Sequence, residues 1–195
     1  MTTAPATAHG WRVVDIVVAS VFGVAFGVVF WQWGVVWAPL FSGQVNPLAY
    51  LVSGVWLAPG VLAALVIQKP GAALFAEALA ATLSALLGSV WGLDAVASGI
   101  MQGAGAELVF ALTFYRSFGL LTAFLAGAGA AVGEWLHDMT IYYPQTAFEL
   151  QLAYGAIMLV SGVLIAGLGS WLLVRAMIRT GVLAPFPSGQ SQPRI

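Results

Sequence analysis

The sequence predicts an all-α integral membrane protein with six transmembrane helices and both termini in the cytoplasm. Three observations predict it. Of 195 residues, 61% are hydrophobic and 7% charged, where a soluble domain carries about 25% charged residues. Six apolar runs have about the 20 residues that a helix, rising about 1.5 Å per residue, needs to cross a bilayer. The basic residues sit in alternate connections, so a six-span chain puts them on one side, which the positive-inside rule makes cytoplasmic.

The first run, Val13 to Trp37, follows a leader, residues 1–12, that ends on Arg12. With no small-residue cleavage pattern after a short apolar core, it reads as a retained span. Lys69 joins the second run, Leu48 to Ile67, to the third, Gly71 to Trp91. Arg116 joins the fourth, Ala95 to Tyr115, to the fifth, Phe118 to Trp135, and Arg175 and Arg179 close the sixth, Leu152 to Ile178. The membrane domain is thus expected over 13–180. Residues 181–195, with the polar, Pro-bearing "APFPSGQSQPRI", read as a disordered cytoplasmic tail. The opposite connections hold Asp94, Asp138 and Glu149 but no Lys or Arg.

Several function classes drop out. There is no cysteine, hence no disulfide framework, thiol nucleophile or thiolate metal site. A formal net charge of −1 without a basic block gives nothing for a nucleic acid to bind. No Gly-x-x-x-x-Gly-Lys-[Ser/Thr] loop is present, so ATP-driven work needs other subunits. No Gly-x-Ser-x-Gly context occurs, and His9 lies in the leader, so the chain reads as no enzyme and needs no cofactor.

The informative residues are polar ones inside spans. Glu77 and Glu107 lie at similar depth, about 10 Å and 13 Å from the basic end. An ionisable group there costs about 2.5–3.5 kcal/mol unless it faces the interior and finds a partner. Every Lys and Arg lies at the basic surface, away from both glutamates, which leaves protonation, neutral donors such as Thr82, Ser84 or Gln102, or a donor-rich ligand. Gln102 and Glu107 are about 140° apart on an ideal helix, so one ligand meets both only if Gly103 and Gly105 permit a bend. Glu134, His137 and Asp138 make a polar cluster at the outer end of the fifth span; one imidazole without motif spacing is a poor metal set. Trp31, Trp33, Trp37, Trp56, Trp91 and Trp135 crowd the outer half, although an aromatic belt populates both interfaces. Indole plus carboxylate, without a basic residue, suits a flat, nitrogen-rich or cationic ligand. Small residues recur every fourth position at Ala19, Gly23 and Gly27, and at Gly99 and Gly103, a pattern for close helix packing, within the bundle or against another subunit.

"SGVWLAPG", "KPGAALFAEALAA" and "QGAGAELVFA" resemble the YkoE-type substrate-binding (S) components of energy-coupling-factor transporters, over roughly Tyr50 to Arg116. The resemblance implies a bacterial plasma-membrane subunit that captures thiamine or its hydroxymethylpyrimidine precursor outside the cell. It also implies a transmembrane coupling protein and two ATPase subunits as partners. The family's motif positions correspond to Trp56, Glu77, Gln102 and Glu107, and its docking stripe to Ala19, Gly23 and Gly27, with glycines in place of the more usual alanines. The expected site is an outer-half pocket capped by "APLFSGQVNP". Trp56, Trp91 and Gln102 are expected in contact with the ligand, Glu134 or Asp138 near its positive ring, and Glu77 and Glu107 as a polar floor. The alternative is a stand-alone proton- or cation-coupled carrier with Glu77 and Glu107 as its relay.

Overall fold

A computed structural model describes residues 10–41 and 46–190. Within them six helical stretches run back and forth: α1 (Val13–Phe41), α2 (Pro47–Ile67), α3 (Ala72–Leu86), α4 (Asp94–Leu112), α5 (Leu120–Ile141) and α6 (Phe148–Arg179). A short α7 (Pro187–Gln190) follows. All but α3 and α7 are long and apolar enough to cross a membrane; α3 has 15 residues.

The stretches coincide with the six apolar runs, with shifted ends. α3 stops at Leu86 rather than Trp91 because Gly88 (φ 92°) and Gly92 (φ 58°) take left-handed backbone, which glycine adopts without steric cost. That turn carries Trp91 off the helix. α5 continues past Trp135 to Ile141, so Glu134, His137 and Asp138 project from a formed helix.

α2 is the axis of the bundle. Its first part, Pro47–Val55, is wound as a 3₁₀ helix, and its second, Ala58–Ile67, as an α-helix with Pro59 in the first turn. Every residue from Pro59 to Ile67 is buried, which is why this stretch is apolar all round rather than on one stripe. The proline creates a helix N-terminus in mid-bundle, with N–H groups that need acceptors.

The small-residue stripes face inward. Ala19, Gly23 and Gly27 are buried, and a Cβ added at Gly23 or Gly27 would lie 2.8 Å from Leu79 or 2.7 Å from Leu83 on α3. The stripe expected to dock another subunit thus packs, within this chain, on α3. The valines around its members, Val17, Val21, Val24 and Val28, face outward. Gly99 and Gly103 likewise press α4 onto α3, at Ala81 and Glu77, and Gly105 meets the backbone of Gly129 on α5.

The end of the bundle that carries Gly10 and α7 is tied by charge. Lys69 Nζ donates to Asp15 (2.6 Å) and to the Gly10 carbonyl (2.7 Å). Arg12 pairs with Asp15 at 2.8 Å and donates to the Pro185 carbonyl, and Trp11 Nε1 donates to Pro70. The tail expected to be disordered is packed as far as residue 190: Leu183 and Phe186 are buried, and Ser188 Oγ donates to the Val66 carbonyl at 2.9 Å. Two apolar anchors and one hydroxyl for the C-terminal end of α2 outweigh the polar composition. Residues 191–195 lie outside the described residues.

Candidate functional site

At the opposite end, α1, α2, α4 and α5 enclose a cavity of about 240 Å³. α4 contributes Asp94, Ser98 and Gln102, four residues apart and so on one face. α5 contributes Glu134, His137 and Asp138, again on one face, and Tyr142 and Tyr143 follow at its end. α2 brings Tyr50, Ser53 and Trp56 through its 3₁₀ part. Trp37 of α1 and Trp91 of the α3–α4 turn complete an aromatic wall: Trp56 meets Trp91 edge-on at 5.3 Å and Trp37 at 6.0 Å, and Trp33 backs Trp56 at 6.4 Å.

The polar wall is made of two hydrogen-bonded series. Tyr50 Oη donates to Asp138 at 2.8 Å, His137 lies between Asp138 (3.4 Å) and Asp94 (3.3 Å), and Tyr142 donates to Asp94. Burial and this bond hold the Tyr142 phenol above its ordinary pKa, so it stays a donor. Gln102 Nε2 donates to Ser98 Oγ (2.7 Å), which donates to Glu134 (2.7 Å). Gln102 Oε1 is buried without a partner. Because a buried unsatisfied acceptor costs about 1–3 kcal/mol, it marks where a donor is missing. The wall carries three carboxylates and no Lys or Arg. Glu134, His137 and Asp138 bring one ligand atom each within 4.8 Å of one another; they are the residues here able to hold a cation, though each already has a protein partner.

Five of the seven expected contact residues line this cavity: Trp56, Trp91, Gln102, Glu134 and Asp138. Glu77 and Glu107 do not, and their surroundings give the reason. Glu77 Oε2 accepts the Gly60 N–H at 2.8 Å, at the helix start that Pro59 creates within α2. A Cβ at Gly60 would press on that oxygen, at 2.9 Å. Glu107 accepts N–H groups from Gly71 (2.6 Å), Ala73 (2.9 Å) and Leu74 (3.3 Å) at the start of α3, and the Tyr115 hydroxyl at 2.8 Å. Burial and that carboxylate push the Tyr115 phenol up to about 12. Both glutamates therefore complement a helix N-terminus from a neighbouring helix, where anions are favoured. Glu107 faces the basic end, so the expectation of a shared floor is corrected for it. Glu77 lies behind the wall, against Gly99 and Gly103, with Oε1 unpartnered. Among the described residues, the two acids share no hydrogen-bond partner.

The sequence reading did not combine Asp94, Ser98 and Gln102, although their spacing of four is a visible polar stripe on an apolar helix. Tyr50 was reachable only through the fold, since its partner is 88 residues away. Of the expected cap, residues 42–45 lie outside the described residues, while Phe41 lines the cavity.

Residues 14–133 match a family model described as the permease component of an ABC-type cobalt transport system. The chain is 38% identical over 175 residues to YkoE of Bacillus subtilis (strain 168), a protein described as an HMP/thiamine permease, covering 89% of this chain and 87% of that one. A crystal structure of an S component of an ECF transporter superposes with a TM-score of 0.85 at 36% identity, over 93% of this chain and 92% of that chain. The chain belongs to the YkoE-type family of ECF-transporter S components. It is a multi-pass protein of the bacterial plasma membrane, and its relatives are transport components rather than enzymes. In this family member the cavity sits at the end of the bundle away from the basic residues, and its wall is built from α1, α2, α4 and α5.

Proposed function

We propose that this S component captures thiamine or its hydroxymethylpyrimidine precursor in the cavity and delivers it through a complex with a transmembrane coupling protein and two ATPases. In this reading all six stretches cross the membrane, the basic end with both termini is cytoplasmic, and the cavity opens outward. The observation that carries the ligand class is the wall itself: three indoles and three carboxylates, with one imidazole and no Lys or Arg. An aminopyrimidine brings N–H donors for Gln102 Oε1 and Glu134, and a thiazolium brings a positive ring for the indole faces and Asp138. A cation–π contact of this kind is worth about 0.5–2 kcal/mol, and a carboxylate that receives charged or paired donors adds more. Phosphates and dicarboxylates meet repulsion from the same acids. Kinship with a protein described as an HMP/thiamine permease supports the same ligand class. The chain itself performs no chemistry in this scheme, and hydrolysis of ATP belongs to the partner subunits.

Titration of intrinsic Trp fluorescence of the purified chain with thiamine, hydroxymethylpyrimidine, riboflavin and biotin tests the proposal. Saturable quenching by one or both thiamine-related compounds is expected. Flat titrations with both would remove the substrate assignment. Uptake by vesicles lacking any ATPase partner, but abolished when the proton gradient collapses, would overturn the S-component mechanism in favour of a stand-alone carrier.

A further inference from the structure

The basic end holds a second concavity, of about 400 Å³, that the capture of a cation does not use. Its walls come from the end of α2 (Leu65, Gln68), the α4–α5 turn (Arg116, Phe118), the end of α6 (Trp171, Arg175) and α7 (Ser188). No carboxylate is among the lining residues. Arg12 and Lys69 at the same end both pair with Asp15; among the described residues, no acid pairs with Arg116 or Arg175. The two guanidiniums thus face one hollow with uncompensated charge.

Both arginines are exposed; a ring holds the Arg175 head group, and a fixed turn holds the backbone of Arg116. Arg175 stacks over the Trp171 ring at 4.7 Å from its centroid, which fixes the plane of the fork. Arg116 follows two consecutive left-handed residues, Phe114 (φ 51°) and Tyr115 (φ 54°), a backbone state that non-glycine residues adopt only at a cost of about 1–3 kcal/mol each. The turn is secured by the Tyr115 amide donating to the Phe110 carbonyl at 2.9 Å and the Tyr115 hydroxyl donating to Glu107. Gln68, on the facing wall, is also left-handed, at φ 56°. Strained backbone on two walls of one hollow, each delivering a polar side chain, is the pattern expected of a ligand clamp. Positive-inside sorting explains why arginines lie at this end, but not why two of them share a concavity and lack acids.

We propose that this hollow is an anion site that takes a phosphoryl group between the guanidiniums of Arg116 and Arg175, with Leu65 and Phe118 receiving the apolar part of the same molecule. Arginine matches phosphate geometry through paired N–H donors, and basic pockets between membrane helices accept anionic headgroups. The phosphoryl group belongs either to an anionic lipid headgroup or to a free phosphate.

The full chain in detergent is incubated with dioctanoyl phosphatidylglycerol or dioctanoyl phosphatidylcholine and read by native mass spectrometry, with and without inorganic phosphate. The anionic lipid is expected to be retained about tenfold better. Arg116→Gln with Arg175→Gln is expected to erase that preference, and Arg116→Lys with Arg175→Lys to keep part of it, which separates loss of charge from loss of fold. An unchanged circular dichroism spectrum and unfolding midpoint in the Gln pair report an intact bundle. Displacement of lipid by inorganic phosphate assigns the site to a free phosphate, and persistence of lipid assigns it to a headgroup; both support the proposal. Equal retention of the two lipids by the parent chain, or an undiminished preference in the Gln pair, overturns it. Neither result depends on the identity of the captured vitamin.

Discussion

The two ends of the bundle handle buried polarity in opposite ways. At the basic end the buried charges are matched: Asp15 is fully buried but receives Lys69 and Arg12, and Glu107 accepts three backbone N–H groups and a phenol. At the cavity end the polar wall is hydrogen-bonded yet incomplete. Gln102 Oε1 has no donor, and three carboxylates face the hollow without Lys or Arg. The first arrangement minimises free energy with nothing bound. The second leaves groups whose desolvation is offset only when a ligand supplies the missing donors. The difference separates structural acids from binding acids better than depth or residue type does.

Four substitutions break or sharpen that contrast. Lys69→Met leaves Asp15 buried with a half-exposed Arg12 as sole partner, and is expected to cost about 4 kcal/mol in unfolding of the detergent-solubilised chain. A loss under about 1 kcal/mol would mean that the basic end is not held by this pair. Glu107→Ala strips the acceptor from the start of α3 and is expected to lower stability by about 3 kcal/mol, while thiamine affinity of the folded fraction shifts less than about twofold. A large affinity change with unaltered unfolding would return Glu107 to the site. Glu134→Gln reverses the pattern: about 30-fold weaker thiamine binding, equivalent to about 2 kcal/mol, with unfolding unchanged or shifted upward because one buried charge is gone. Equal affinity in calorimetric titration would remove Glu134 from the ligand's surroundings. Gln102→Leu is the mildest, with affinity about fivefold lower, near 1 kcal/mol, and no stability loss; a drop in unfolding temperature would show that this amide serves the fold instead.

Much of the site was legible in the sequence, for a local reason. Glu134 and Asp138 are four apart on one helix, and Trp56, Trp91 and Gln102 lie in stretches whose depth follows from counting residues. Glu77 and Glu107 were legible as anomalies but not in role. Their partners are backbone amides of other helices, at Gly60, Gly71, Ala73 and Leu74, and an amide has no signature in a residue list. The stripe at Ala19, Gly23 and Gly27 was visible as a packing surface, but spacing alone does not say whether the opposing surface belongs to the same chain. The tail shows the converse error: composition suggested disorder, and two buried side chains, Leu183 and Phe186, decided otherwise.

By itself, then, the sequence determined a membrane-embedded helical chain with its cations at one end and its indoles crowded toward the other. Hydrophobic length and charge segregation are one-dimensional quantities. Which acids face a hollow and which cap a helix was decided only in three dimensions. Hydrogen-bond satisfaction is a property of neighbours in space, and in this chain those neighbours are tens of residues apart, as with Gly71 and Glu107 or Tyr50 and Asp138.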